Sequence, residues 1–181
     1  APHAVAVDTC TAALFLCFKR LNAENVRIPS KTYLGVACAA LHSGAKLRLL
    51  NDWGWKGVYS IGISTNYDRF DPIIDSACRL HRSMYCPPIL TCLYFQYRKH
   101  LKIGRGGAIL TDDNTLYGRL KELKDQGRPK RGTGGADTHI SVGYNFKFTD
   151  IQAAVLKGQM ETLDALIAHQ KRTFEIYAEE L

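Results

Sequence analysis

The residues with the clearest potential for chemistry lie in the stretch LYFQYRKHLKIGRGG, which runs from Leu93 to Gly107. Lys99 stands at its centre, between an apolar, aromatic run and a pair of glycines, and Ala108 to Leu110 form a second apolar run. This order predicts a strand, a loop and a strand. Desolvation at a strand end and the neighbouring basic residues disfavour the charged form of a lysine. Lys99 is therefore a candidate nucleophile, although a surface cation of a basic chain fits the same pattern.

Asp75 is the second candidate. The apolar run from Phe70 to Ile74 predicts a strand, and Asp75 follows at its carboxyl end, just before Ser76-Ala77-Cys78. A carboxylate in this place can hold a cationic ring nitrogen. Asp75 could equally cap a following helix, because aspartate is a common N-cap residue.

The start of the chain predicts a site for an anion. Val5 to Val7 form a short apolar strand, the small polar run Asp8-Thr9-Cys10-Thr11 follows, and Ala12 to Leu21 have the composition of a buried helix. Backbone N–H groups at a helix N-terminus bind anions such as phosphate. Ordinary capping by Thr9 or Thr11 explains the same residues.

Strands and helices alternate in the first part of the chain. Val26 to Pro29 and Lys46 to Leu50 are predicted strands, and the intervening helix runs through Leu41 to a stop at Gly44. Trp53 to Tyr67 are predicted to form turns or short strands. The alternation indicates an α/β fold, a three-layer α/β/α arrangement with a mostly parallel sheet. Ligands of such sheets bind at the carboxyl ends of the strands.

Helical periodicity dominates the last part of the chain. Asp112 or Asp113 is predicted to cap a helix, Gln126 to His139 to form a mobile loop, and a long helix to begin near Thr149. The long helix carries an apolar stripe that is typical of a core or a subunit interface. Its members are Ile151, Val155, Leu156, Met160, Leu163 and Leu166.

The composition narrows the class of protein. The 181 residues suit one domain, and the formal net charge of +7 permits an anionic partner. The bases are spread along the chain without interleaved aromatics, so nucleic acid is an unlikely partner. The six cysteines show no metal-like spacing, which predicts reduced thiols and no metal site. No apolar run reaches the length of a membrane span, so a soluble, cytoplasmic protein is expected.

Five motifs, taken in order, resemble the DegT/StrS sugar aminotransferase family of fold type I pyridoxal-phosphate enzymes. They are the helix start at Thr9 to Ala13, Tyr33 after P-S-K-T, Asp75-Ser76-Ala77, Lys99 before I-G-R-G-G, and G-Y-N before a helix. The resemblance covers nearly the whole chain. It implies a cofactor-binding large domain over residues 1–181, apparently without the family's smaller C-terminal domain.

The resemblance gives each position a role. Lys99 matches the lysine that forms the Schiff base with the cofactor and then acts as general acid and base. Asp75 matches the aspartate that keeps the pyridinium nitrogen protonated, so that the ring can accept electrons. Tyr33 matches an aromatic residue against the ring face. The phosphate would be held by the loop at Cys10, Thr11 and Ala12, and by Asn145 from the neighbouring subunit of a homodimer with a shared site.

Two site positions depart from the family pattern. Cys78 stands where the family usually has histidine or glutamine near the ring hydroxyl, and a thiol is a weaker hydrogen-bonding group. Tyr94 stands where a phosphate-binding serine is usual.

The implied function is pyridoxal-phosphate-dependent transfer of an amino group from an amino donor to a keto sugar, with a nucleotide-linked sugar as the acceptor. Two alternatives stay open at this point. One is another reaction of the same cofactor on an amino acid or a modified nucleotide, and the other is a catalytically impaired scaffold that binds the cofactor.

Overall fold

The computed structural model describes residues 1–51, 59–64, 71–129 and 137–180. Its strands are β1 (His3–Val7), β2 (Asn25–Pro29), β3 (Lys46–Leu50), β4 (Tyr59–Ser64), β5 (Asp71–Asp75), β6 (Leu90–Tyr94) and β7 (Gly107–Thr111). Its helices are α1 (Cys10–Arg20), α2 (Leu34–Ser43), α3 (Asn114–Lys124), α4 (Asp150–Glu161) and α5 (Leu163–Glu180). The region from Trp53 to Tyr67 is predicted to form turns or short strands, and its described part, β4, is a strand. Residues 53–58 and 65–67 lie outside the described part, and so does Phe70, the first residue of the next predicted strand.

The strands form one mixed sheet in the order β1-β7-β6-β5-β4-β2-β3. The pairs β5–β6 and β2–β3 are parallel, whereas the other neighbouring pairs of the described sheet are antiparallel. These pairings give β1, β2, β3, β5 and β6 one direction and reverse β4 and β7. The α/β class is confirmed. Most of the described strands run in one direction, as a mostly parallel sheet requires, but most neighbouring pairs of strands are antiparallel.

Both faces of the sheet carry apolar clusters, as a three-layer arrangement requires. Successive side chains of a strand point to opposite faces, and in β6 the buried Cys92 belongs to one cluster while Leu93 belongs to the other. The larger cluster includes buried residues of α1, α2 and α3, among them Leu14, Val36 and Leu120. The smaller cluster joins Leu93 to the second face, where α4 and α5 contribute Leu156 and Leu163.

The predicted helix ends are supported by observed caps. The side chains of Thr9, Asp113 and Thr149 accept hydrogen bonds from the first turns of α1, α3 and α4. Gly44 ends α2 in the left-handed region with a φ of 91°. The cap of α3 is thus Asp113 rather than Asp112.

The prediction of one long helix after Thr149 is wrong, because α4 ends at Glu161 and α5 begins at Leu163. Thr162 caps the end of α4 with its N–H bonded to the carbonyls of Gln159 and Met160. The predicted apolar stripe is therefore shared between two helices. Its members differ in exposure, because Leu163 on α5 is buried while Ile151 on α4 is 80% exposed. The predicted mobile loop is described at its two ends, and residues 130–136 lie outside the described part.

No helix among the described residues is long and apolar enough to cross a membrane.

Replacing Gly107 with alanine should destabilise the fold. A Cβ atom there would lie 2.5 Å from the carbonyl carbon of Thr9 and 2.8 Å from the amide nitrogen of Cys10, both of them backbone atoms. We expect Gly107→Ala to lower the free energy of unfolding by about 1–3 kcal/mol, as overpacking does. Urea denaturation measures the change.

The matched control is Gly118→Ala in α3, where an added Cβ would meet nothing within 4 Å. Alanine favours a helix over glycine by up to ~1 kcal/mol, so this variant should be neutral or more stable. Equal stability of the Gly107→Ala variant and the native chain would contradict the close contact.

Candidate active site

A cavity of about 640 Å³ opens at the carboxyl ends of the parallel strands β5 and β6. Ligands of α/β sheets bind at this place because the loops that follow the strands diverge there. The turn after β5, the loop between β6 and β7, the start of α1 and the segment before α2 surround it. The described residues that line it are Cys10, Thr11, Leu14, Lys31, Thr32, Tyr33, Val36, Asp75, Ala77, Cys78, Tyr94, Gln96, Arg98 and Lys99.

Asp75 is the buried acid of this cavity. It is the last residue of β5 and only 4% exposed. Its Oδ1 atom accepts a hydrogen bond of 2.9 Å from the N–H of Ala77 and lies 3.9 Å from the sulfur of Cys10. Burial and the charge of Asp75 raise the pKa of the Cys10 thiol, so the thiol keeps its proton and donates to the carboxylate.

Lys99 approaches the cavity from the loop between β6 and β7. Its backbone N–H donates to the carbonyl of Gln96 at 2.8 Å, which closes a turn beneath it. Its Nζ atom lies 3.0 Å from the sulfur of Cys78 and 5.7 Å from the centre of the Tyr94 ring. The amine therefore lies between residues that follow β5 and residues that end β6.

Helix α4 holds the far side of the Lys99 loop through two glutamines. Gln152 completes the capping box of α4 with Thr149 and donates from Nε2 to the carbonyl of Arg105 at 2.7 Å. Gln159 accepts from the N–H of Lys102 at 2.5 Å and donates to the carbonyl of the same residue at 2.8 Å. Arg105 in turn pairs with Asp8 at 2.7 Å, which joins the loop to the segment before α1.

The first residues of α1 lie at the cavity. The first N–H groups of a helix have no partner within the helix. The hydroxyl of Thr9 accepts from the N–H of Ala12 at 3.0 Å, so capping engages the third residue of the predicted phosphate loop. Cys10 and Thr11, the first two residues of the helix, line the cavity.

Two titratable side chains near Lys99 stay neutral at neutral pH. Burial, followed by the neighbouring Tyr33, raises the pKa of Tyr94, so its phenol remains protonated where a serine was expected. Burial lowers the pKa of His100, and the charges of Lys99 and Lys102 lower it further.

The cavity brings together most of the site residues that the sequence predicts: Cys10, Thr11, Tyr33, Asp75, Cys78, Tyr94 and Lys99. Ala12 is buried and is not among the lining residues. Asn145 lies elsewhere, in a single β-bridge with Asp125, and is exposed. Tyr33 lines the cavity and is 77% exposed.

Sequence reasoning missed four polar lining residues, which are Lys31, Thr32, Gln96 and Arg98. Lys31 and Thr32 directly precede Tyr33, and Gln96 and Arg98 flank the turn that carries Lys99. Their proximity to predicted site residues was the available signal. Nothing in their types separates them from the other basic and polar residues of the chain.

Among the described residues, no group of three or more histidine, cysteine, aspartate or glutamate side chains could hold a metal ion.

Comparison with known sequences gives a match over the second half of the chain and over its whole length. A model of the DegT/DnrJ/EryC1/StrS aminotransferase family matches residues 89–181. The GDP-perosamine synthase of Caulobacter vibrioides is 25% identical over 217 residues, covering 99% of this chain and 57% of that protein. The UDP-4-amino-4,6-dideoxy-N-acetyl-beta-L-altrosamine transaminase of Campylobacter jejuni is 24% identical, covering 98% of this chain and 57% of that protein. The chain thus spans little more than half the length of these relatives.

The fold is similar to that of solved aminotransferase structures. The proposed sugar aminotransferase Spr1654 of Streptococcus pneumoniae, in its PLP form, superposes with a TM-score of 0.77 at 18% identity. The superposition covers 98% of this chain and 59% of the other. At this identity the similarity establishes the fold type I architecture.

Proposed function

Because the chain belongs to the DegT/DnrJ/EryC1/StrS aminotransferase family, we propose that it is the cofactor-binding large domain of a pyridoxal-phosphate-dependent aminotransferase. The observation that carries the proposal is that the amine of Lys99 and the buried carboxylate of Asp75 line one cavity. The two groups come from segments 24 residues apart in the sequence, since 99 − 75 = 24. A surface cation and a helix cap would have no reason to share a cavity.

The residues present fit pyridoxal phosphate. The cavity holds an amine, a buried carboxylate and the first turn of a helix, which are partners for an aldehyde, a ring nitrogen and a phosphate respectively. When bound, the cofactor supplies an aldehyde that condenses with amines and a ring that accepts electrons from the bond being broken.

Each residue has a distinct task in this proposal. Lys99 attaches the cofactor and, once released, moves a proton at the substrate carbon that carries the nitrogen. Asp75 stabilises a protonated ring nitrogen, and the thiol of Cys10 orients its carboxylate. The N–H groups of Cys10 and Thr11 bind the phosphate, Tyr33 covers the ring, and Cys78 and Tyr94 contact its polar substituents.

The proposed amino acceptor is a nucleotide-linked keto sugar. Relatives are named for GDP-linked and UDP-linked sugars. The described residues of the cavity lining also include the exposed cations Lys31 and Arg98 besides Lys99, and among them Asp75 carries the one carboxylate. Excess positive charge near the mouth favours an anionic substrate such as a diphosphate ester. The cysteines are free thiols, which suits the reducing cytoplasm that we propose as the location.

Lys99→Ala should abolish covalent attachment of the cofactor, because the variant lacks the amine to which the proposal assigns the attachment; the other lysine of the described lining, Lys31, remains. Borohydride reduction of the native chain with pyridoxal phosphate, followed by peptide mass analysis, should find the label on Lys99. Lys102→Ala, in the same loop, is the control and should be labelled normally. Attachment to a different lysine would refute the assignment.

Asp75→Asn should keep the attached cofactor, with its visible absorbance, yet lower the rate of amino transfer by about 10²-fold or more. A neutral amide cannot stabilise a protonated ring nitrogen, and losing one such electrostatic contact typically costs this much. Stopped-flow absorbance of the half-reaction with an amino donor measures it. The control is Asp112→Asn, which alters an exposed acid bonded to Tyr85 and should react at the native rate. A native rate for Asp75→Asn would show that Asp75 only shapes a turn.

A homodimer with shared sites completes the proposal. Asn145 is exposed and lies outside the cavity of its own chain, so it is available to the phosphate of a partner. The nearby helix α4 exposes Ile151, Val155 and Met160, which are 80%, 46% and 53% exposed. An apolar face of this kind favours association.

Light scattering on the cofactor-loaded chain should therefore give the mass of a dimer, and Ile151→Glu should shift it towards the monomer. The control is Leu41→Glu on α2, which should leave the dimer intact. Leu41 is also exposed, at 55%, but α2 packs on the opposite face of the sheet from α4. A native monomer that binds the cofactor tightly would rule out the shared site.

A further inference from the structure

Among the described residues, the amine of Lys99 makes its hydrogen-bond contact with a sulfur atom. Its Nζ atom lies 3.0 Å from Sγ of Cys78, and the thiol of Cys78 is exposed. We propose that Cys78 and Lys99 form an oxidative modification site, at which hydrogen peroxide joins the two side chains through a sulfur–nitrogen bond.

The backbone already holds the two groups in place. The turn that carries Cys78 is fixed by the bond from the N–H of Ala77 to Asp75, and the turn that carries Lys99 by the bond to the carbonyl of Gln96. Closing the remaining gap needs only rotation within the flexible stem of the lysine. Both side chains line the same open cavity, so a small oxidant reaches them directly.

The chemistry balances with one peroxide molecule. Hydrogen peroxide oxidises the thiol of Cys78 by two electrons to the sulfenic acid and is itself reduced to water. The lone pair of the uncharged Lys99 amine then attacks the sulfur. The sulfur–oxygen bond breaks, and the departing oxygen takes the sulfenic hydrogen and one amine hydrogen away as a second water. The protein loses two hydrogen atoms, one from sulfur and one from nitrogen.

Among the described residues, Cys10, Cys17, Cys86 and Cys92 lack this combination of access and a contacting amine, and Cys38 is only partly exposed. Cys10, Cys17 and Cys92 are buried, and the hydrogen bond with Cys17, together with burial, raises the pKa of the Cys92 thiol. Cys86 is exposed, but the recorded contact of its sulfur is with the carbonyl of Pro87 at 4.0 Å. Oxidation of Cys86 would therefore stop at an oxygen-bearing product or a mixed disulfide.

Formation of the sulfur–nitrogen bond requires the two side chains and peroxide, and it does not require the cofactor. Its consequence for the cofactor rests on the proposed function, because a lysine nitrogen bonded to sulfur cannot attach an aldehyde. A dithiol restores both groups: its first thiol attacks the sulfur of Cys78, and the Lys99 amine leaves with a proton. Its second thiol then resolves the mixed disulfide, which frees Cys78 and leaves the reductant as a disulfide. The site would then couple cofactor loading to peroxide.

The test uses the full chain without added cofactor, treated with hydrogen peroxide at mildly alkaline pH and analysed by intact mass and peptide mapping. We expect the loss of two hydrogen masses and a linked pair of peptides that contain Cys78 and Lys99, both reversed by dithiothreitol. Cys78→Ser and Lys99→Arg should abolish the link, whereas Cys86→Ser should keep it. Peptide mapping also distinguishes the expected link from a disulfide between Cys17 and Cys92, whose sulfurs lie 3.9 Å apart and whose oxidation gives the same mass change.

Several results would overturn the proposal: a persistent sulfenic acid at Cys78, a bridge that retains oxygen, hydrogen loss confined to Cys17 and Cys92, or an unmodified chain. A second measurement separates this proposal from the function. Peroxide pretreatment should nearly eliminate covalent cofactor attachment, and dithiothreitol should restore it. If untreated chain never attaches the cofactor, the proposed function fails, while the linked peptides still decide the modification site.

Discussion

A contact between two stretches of backbone sets the position of α1 against the sheet. Gly107 begins β7 directly beside Thr9 and Cys10, with no room for even a methyl group between them. This approach places the first turn of α1 at the edge where β5 and β6 end, and it brings Cys10 to Asp75. A wider spacing would separate the helix N-terminus from the acid and the amine, and the cavity would lose one of its walls.

The inner and outer parts of the cavity carry opposite charges. Its inner part holds Asp75, buried and supplied with an N–H donor and a thiol donor, while the cations Lys31 and Arg98 are exposed at the outside. A molecule with a cationic ring at one end and anionic groups at the other matches this polarity. The same polarity limits which orientation such a molecule can adopt, because reversing it would place like charges together.

Local signals predicted much of the fold and long-range pairing explains most of the rest. Neighbouring residues in the sequence predict the strand, loop and strand around Lys99 and the position of Asp75 at a strand end. They also predict the helix caps at Thr9 and Thr149 and the end of α2 at Gly44. The reversal of β4 and the break at Thr162 do not, since strand partners are set by tertiary packing and Thr162 has no helix-breaking side chain. For the site, residue types and order identified the amine and the acid, but Lys31 and Arg98 are recognisable only once the chain is folded.

The two glutamines of α4 constrain which residues the chain can carry at those positions. The amide of Gln159 accepts a hydrogen bond from the N–H of Lys102 and donates one to the carbonyl of the same residue. The amide of Gln152 accepts from the N–H of Thr149 and donates to the carbonyl of Arg105. Glutamate has the length but, when ionised, only accepts; lysine has the length but only donates; asparagine does both but is one carbon shorter. Of these four side chains, glutamine supplies both functions at this reach. The geometry of a lysine-bearing loop is thus encoded partly in a helix some fifty residues further along the chain, as the separations of 47 and 57 residues show.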